Sequence, residues 1–219
     1  MPGDEPKEDK DILSAGPEVV PGIYSITVKL NDHEFETKAT VLKDPRFNVS
    51  AQDLRASYNL QHQAVDMYST LTKAVHALVD SKKDVELIKA MADKALGKVT
   101  STDKKKSSPE KTLSNSADAL LKKIATLDKG LRSIPKTNGI VDESYKVSSK
   151  IFTAWGYAGS RYGKPSPTAE LYLAQGKTAL KKAVDEVNNF LAKDIAEFKT
   201  QYSQSGLGLL NAAAPITLN

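Results

Sequence analysis

Two short stretches near the start of the chain alternate apolar and polar residues with period two. Tyr24, Ile26, Val28 and Leu30 alternate with Ser25, Thr27 and Lys29. Phe35, Thr37, Ala39 and Val41 alternate with Glu34, Glu36, Lys38 and Thr40. Strand side chains point to opposite faces in turn, so both stretches are expected as strands with one apolar face each. Asn31-Asp32 supplies turn chemistry between them. Asp44-Pro45 stops the second, because proline cannot continue a ladder. The expected unit is a β-hairpin within residues 21–46, which is marginal by itself in water.

After Ser50 the period changes to that of a helix. Ser50 with Asp53 three residues on reads as an N-cap. Leu54, Tyr58, Val65, Tyr68, Val75 and Val79 form a four-three stripe, with Gln61 and Thr72 as polar interruptions. "DSKKD" at 80–84 is a candidate break, after which Val85, Ile88, Met91 and Ala95 carry the stripe towards Gly97. Ser108 and Pro109 open a second helix by the cap-then-proline rule. Its stripe is Leu113, Ala117, Leu120, Ile124, Leu127, Leu131 and Ile134, and Pro135 and Gly139 end it. A shorter helix is expected over 142–158 through Val147, Ile151 and Trp155. Ser166-Pro167 opens the last, running to about Ser203 along Leu173, Leu180, Val184, Val187, Leu191, Ile195, Phe198 and Tyr202.

Short connections favour antiparallel neighbours, and narrow stripes suit the shallow crossing of bundles. The expected fold is therefore mainly α: an antiparallel up-down four-helix bundle preceded by a β-hairpin. Its layers should draw on Leu120, Ile124, Leu127, Val184, Val187 and Leu191. The division reads as a charged, Pro/Gly-rich linker over 1–20, the hairpin over 21–46 and the bundle over 47–205. An apolar tail without a period follows over 206–219.

Composition narrows the chemistry. The 219 residues are 40% hydrophobic, enough for a packed core. The 31 basic and 27 acidic residues are interleaved and leave a net charge of only +4. That balance suits a solvated surface better than a nucleic-acid face. With no cysteine there can be no disulfide, thiolate zinc site or cysteine nucleophile. "MPGDEPKEDKD" has no apolar core of a signal peptide behind it, and no run is long enough for a membrane span. A soluble chain, or a piece of something larger, is expected.

Catalytic constellations do not assemble in the sequence. His33 falls in the hairpin turn, and His62 and His76 lie about 21 Å apart along one helix. They cannot share a metal. No HExxH, GxSxG or phosphate-binding loop occurs. Asp185-Glu186 and Asp194 with Glu197 read as a solvated helix face, because catalytic carboxylates need a cleft that splits their pKa values. Lys104, Lys105 and Lys106 read as a solubilising loop tip. No enzyme activity, cofactor or metal is expected. "WGYAGSRYGKPSP" is the exception worth weighing. Trp155, Tyr157, Arg161 and Tyr162 among glycines could stack on sugar rings. Packing is the plainer reading, with Trp155 continuing the stripe from Ile151 and Tyr157 and Tyr162 closing the bundle end.

The order of motifs resembles a known family. "PGIYSITVKLNDHEFETKATVLKDPR", with Asp44, Pro45 and Arg46 at its end, resembles the C-terminal segment of bacterial BNR-repeat, sortilin-like β-propeller proteins of glycosyl-hydrolase type. "NVSAQDLRASYNLQHQAVDMY" resembles the family's first helix, and the stretch from "KPSPTAELYL" to "AKDIAEF", led by Pro167-Thr168, resembles its last. "WGYAGSRYG" departs from the family's smaller, more acidic loop. The resemblance implies a non-catalytic C-terminal accessory or interaction module, secreted or in the cell envelope. In it the hairpin is the edge of a β-sandwich, with Tyr24, Ile26, Val28, Phe35 and Val41 as its interaction surface. The implied partner is an upstream propeller or sandwich domain of the same polypeptide, or a second copy. The alternative function is carbohydrate binding by the loop 155–164, with glycans as ligands.

Overall fold

A computed structural model of the chain describes residues 16–97, 108–133 and 142–207. Of these, 69% are helical, in four helices preceded by a two-stranded antiparallel hairpin. The strands are β1 (Gly22–Leu30) and β2 (His33–Val41). Helix α1 spans Ala51–Gly97, α2 Pro109–Leu131 and α3 Val147–Ala158. The last helix runs as α4 (Pro167–Phe190), a single π-turn (Leu191–Ile195) and α5 (Ala196–Gln204).

The helix starts are where the caps put them. The Asp53 amide donates to Ser50 Oγ at 3.1 Å, and that hydroxyl donates to the Asp53 carboxylate at 2.7 Å. Ser108 accepts from the Lys111 amide and Ser166 from the Ala169 amide, each ahead of a proline at the first helical position. The expected helix at 142–158 starts later, at Val147. Asp142 instead takes the Ser144 amide at 2.9 Å and Glu143 O takes the Lys146 amide, so these residues form a turn. The expected break at 80–84 does not occur, since α1 is continuous. Nothing there opposes helix: there is no glycine or proline, and the charges pair along the helix as Asp80–Lys83 and Lys82–Glu86.

The described residues form two compact units. The first holds the chain up to Thr72 with Arg132–Lys182. Its core is built from Leu54, Ala64, Met67 and Leu71 of α1, Val147, Ile151 and Ala154 of α3, and Ala169, Leu173 and Leu180 of α4. Gly176 lets these helices approach. A Cβ there would stand 2.7 Å from Met67 Cε and 3.7 Å from the Lys150 carbonyl.

The second unit holds Lys73–Leu131 and the chain from Ala183 on. Leu113, Ala117, Leu120, Ile124 and Leu131 of α2 are buried with Leu78, Val85 and Ala92 of α1 and with Ala183, Val187, Phe190 and Phe198. Lys123 binds Asp194 at 2.7 Å and lies 5.7 Å from the centre of the Phe190 ring.

Several expected core positions are corrected by the packing. Leu127, Val184 and Leu191 are only half-buried. On α1, Tyr58, Val65, Tyr68 and Val79 are half-buried too, while Leu60, Ala64, Met67, Leu71, Ala74 and Leu78 are buried. That second stripe also has four-three spacing, and it is carried partly by alanines. Ile134, Pro135 and Gly139 lie outside the described residues, as do Lys104 to Lys106 and most of the expected linker and tail.

Candidate interaction surface

The hairpin register fixes which side chains share a face. Tyr24 stands opposite Ala39, Ile26 opposite Thr37, Val28 opposite Phe35 and Leu30 opposite His33. The two apolar stripes therefore merge on one face. The other face pairs Lys29 with Glu34, at 3.0 Å, Thr27 with Glu36, and Ser25 with Lys38. The two-residue turn is closed by Asn31, whose φ of 53° lies in the left-handed region that asparagine tolerates.

Little covers the apolar face. Ile26 is 44% exposed, Val28 55%, Phe35 61% and Leu30 64%. Tyr24 and Val41, at the end of the hairpin away from its turn, are half-buried. The Tyr24 hydroxyl donates to the Val20 carbonyl at 2.5 Å, which anchors the base of β1. Below it, the Glu18 amide donates to Oε1 of the buried Gln61 at 3.2 Å and ties the lead-in segment to α1.

The junction with the helices is built from Asp44, Pro45 and Arg46. Asp44 Oδ1 accepts the Arg46 amide at 2.9 Å. The guanidinium grips both carboxylate oxygens, with Nη2 to Oδ2 at 2.7 Å and Nε to Oδ1 at 3.0 Å. The Phe47 amide closes a turn on the Asp44 carbonyl. The Arg46 side chain, and then its amide, hold the Asp44 carboxyl below the ordinary carboxylate value. This motif is thus a charged staple that orders the turn between β2 and α1.

The aromatic loop packs on that staple. The Tyr162 and Phe47 rings lie 5.2 Å apart, and Arg46 stands over the other part of the same cluster, 5.9 Å from the Phe47 centroid. Gly163, at φ 112°, sits against Val49, and a Cβ there would meet Val49 Cγ1 at 2.9 Å. Tyr157 stacks on Tyr172 at 4.6 Å with the planes 14° apart. Trp155 is half-buried on α3, and Arg161 is exposed. The structure thus spreads the four loop residues: Tyr162 joins the hairpin junction, while Tyr157 joins α4.

A shallow groove of about 320 Å³ lies nearby between α1 and α4. Leu60, Leu173, Ala56 and Ala174 form its apolar floor, and Gln63, Glu170 and Lys177 its rim. Lys177 Nζ donates to Gln63 Oε1 at 2.5 Å across it. The groove is not legible in the sequence, because Leu60 and Ala56 lie off the stripe of Leu54, Tyr58 and Val65.

The histidines stay apart. His33 is beside Phe35, ring centres 6.3 Å apart, while His62 lies against Tyr58 and Asp66. Among the described residues no three His, Cys, Asp or Glu side chains gather as a metal set, and no helix is long and apolar enough to cross a membrane. No protein-family model, curated protein or solved structure matches the chain.

Proposed function

We propose that this chain is a non-catalytic interaction module, a helical scaffold that holds out a β-hairpin for a β-rich neighbour. The observation that supports it best is the exposure of Ile26, Val28, Leu30 and Phe35 on one face. Covering the half or so of these four side chains that is still exposed is worth about 3–7 kcal/mol before ordering costs, scaling about 1.5–3 kcal/mol for each fully exposed side chain. The Asp44–Arg46 pair points the same way, because it orders the turn that carries the hairpin, and order present before docking lowers its entropic cost. The resemblance to BNR-repeat, sortilin-like proteins names the neighbour as a propeller or sandwich domain earlier in the same polypeptide, in a secreted or envelope protein.

A variant that puts charge on the apolar face tests the reading. Ile26→Lys, Val28→Lys and Phe35→Lys together should leave helical circular dichroism unchanged and abolish most binding of an apolar-surface dye. Loss of helicity would make this face part of the core, and unchanged dye binding would place the exposed apolar surface elsewhere. In the longer polypeptide, hairpin amides should exchange more slowly than in this chain alone. Equal rates would remove the β-rich neighbour.

A further inference from the structure

The apolar face is one surface of the hairpin, and the outer edge of β2 is another. A two-residue loop closes on a hydrogen-bonded residue pair, here Leu30 and His33. Hydrogen-bonded pairs then recur at every second position, so Phe35, Thr37 and Ala39 bond across to β1. Glu34, Glu36, Lys38 and Thr40 turn their amides and carbonyls outward. All four are exposed. The register runs through β2 without a bulge, and β2 contains no proline. Those are two of the devices that normally blunt an open edge.

The side chains along this edge are unmatched inside the hairpin. Glu36 faces Thr27 and Lys38 faces Ser25, whereas Lys29 and Glu34 already pair with each other. No ion pair engages Glu36 or Lys38 among the described residues.

We propose that β2 pairs antiparallel with β2 of a second copy of this chain, about a two-fold axis through Thr37. This goes beyond the interaction reading above, because it uses the edge and leaves the apolar face open. Outward-facing residues pair only with outward-facing residues, which limits the choice of axis. An axis at Glu36 or at Lys38 sets a charge against its own copy. One at Phe35 sets Glu34 against Glu36 twice. The axis at Thr37 sets Glu36 against Lys38 twice and Phe35 against Ala39 twice, and it pairs all nine residues of the strand. The occupant that places a lysine opposite Glu36 and a glutamate opposite Lys38 is the strand itself. Pairing turns a marginal two-stranded unit into a four-stranded sheet, the size at which sheets hold themselves up. It also joins the two apolar faces into one continuous docking surface.

Sedimentation of the whole chain over a concentration series should show a reversible dimer. Glu36→Lys alone and Lys38→Glu alone should each weaken it about tenfold or more, because like charges then oppose twice. The double exchange should restore it to within about threefold, since the opposite pairs are re-formed. Both sites face uncharged partners inside the hairpin, so neither change removes a pair that holds it together. Thr37→Cys gives a chain with a single thiol. Non-hydrogen-bonded antiparallel partners lie close enough for a disulfide, so mild oxidation should link two copies through this residue. Thr40→Cys, which faces Glu34 of the other copy, should link far less. A monomer at all concentrations overturns the proposal. A monomer whose Glu36 and Lys38 amides are protected assigns the edge to another segment of the same chain. Equal linking at both cysteines, or no rescue in the double exchange, overturns the Thr37 axis. Dye binding to the apolar face reads the interaction proposal separately, because edge pairing leaves that face uncovered.

Discussion

Helix α2 and the hairpin carry equally regular apolar stripes, and they end in opposite surroundings. On α2, Leu113, Ala117 and Ile124 are 1%, 0% and 3% exposed. On the hairpin, Val28 and Phe35 are more than half exposed. Periodicity states which side of an element is apolar. Whether that side is covered depends on what the rest of the chain can bring to it. Helix α2 has the facing rows of α1 and the last helix within its own unit. The hairpin is mounted at a turn and offers its face outward.

The comparison breaks most sharply by truncation. Leu113→Ala should cost about 2–5 kcal/mol in a denaturant melt, the range for a buried leucine. Val28→Ala should cost under about 0.5 kcal/mol, as for a surface site. Similar losses at the two positions would mean that something covers the hairpin.

A middle-sized effect is expected where the two regions meet. Gly163→Ala combines a left-handed backbone with the contact on Val49, and should cost about 1–3 kcal/mol. Adding Val49→Ala should recover part of this and leave the backbone share. Full recovery would show that φ at Gly163 carries no strain.

The aromatic loop sharpens the contrast between packing and recognition. Titrating a glycan panel against the fluorescence of the only tryptophan should give no saturable change below millimolar. Such a change, lost in Tyr162→Ala, would promote carbohydrate binding over protein interaction. Tyr162→Ala should by itself cost about 1 kcal/mol through its ring contact with Phe47.

The smallest effect is electrostatic. Asp44 has a lowered pKa when folded, so its pairing with Arg46 stabilises the staple fully above the ordinary carboxylate value. That contribution fades as the pH falls below this value and through the lowered one. Arg46→Ala should raise the Asp44 midpoint in an NMR carboxyl titration. An unmoved midpoint would deny the pairing.

Much of this was legible in the residues. Alternation placed both strands, and Asn31-Asp32 placed the turn. Ser50, Ser108 and Ser166 placed three helix starts, because a capping hydroxyl and a following proline or acid act locally. The core of α1 was harder. Two stripes of equal spacing run along that helix, and large residues such as Tyr58 and Tyr68 drew attention from Ala64 and Ala74. Close helix approach selects the smaller row, and that choice is made by neighbours distant in sequence. The contact between Phe47 and Tyr162 joins residues far apart in the chain. No local pattern announces it, though Gly163 after an aromatic was a visible sign of close approach. Asp44-Pro45-Arg46 was legible as a strand stop, but its bidentate staple was not.

The π-turn at Leu191–Ile195 has a further consequence for the chain as a screw. Inward residues advance in steps of four and three from Ala169 through Leu173, Gly176, Leu180, Ala183 and Val187 to Phe190, and the next deeply buried side chain is Phe198. A regular helix would bring Glu197 inward there instead. The wide turn absorbs one residue and resets the phase by about 100°. Deleting any one residue between Leu191 and Ile195 would leave a regular helix in which Phe198 stands seven residues after Phe190 and still faces the core. Winding the same residues at full length into a regular helix would instead rotate Phe198 away from the core and bring the Glu197 carboxylate towards it. In this stretch the chain keeps time by an irregularity, and smoothing it would put the last turns of the molecule out of step.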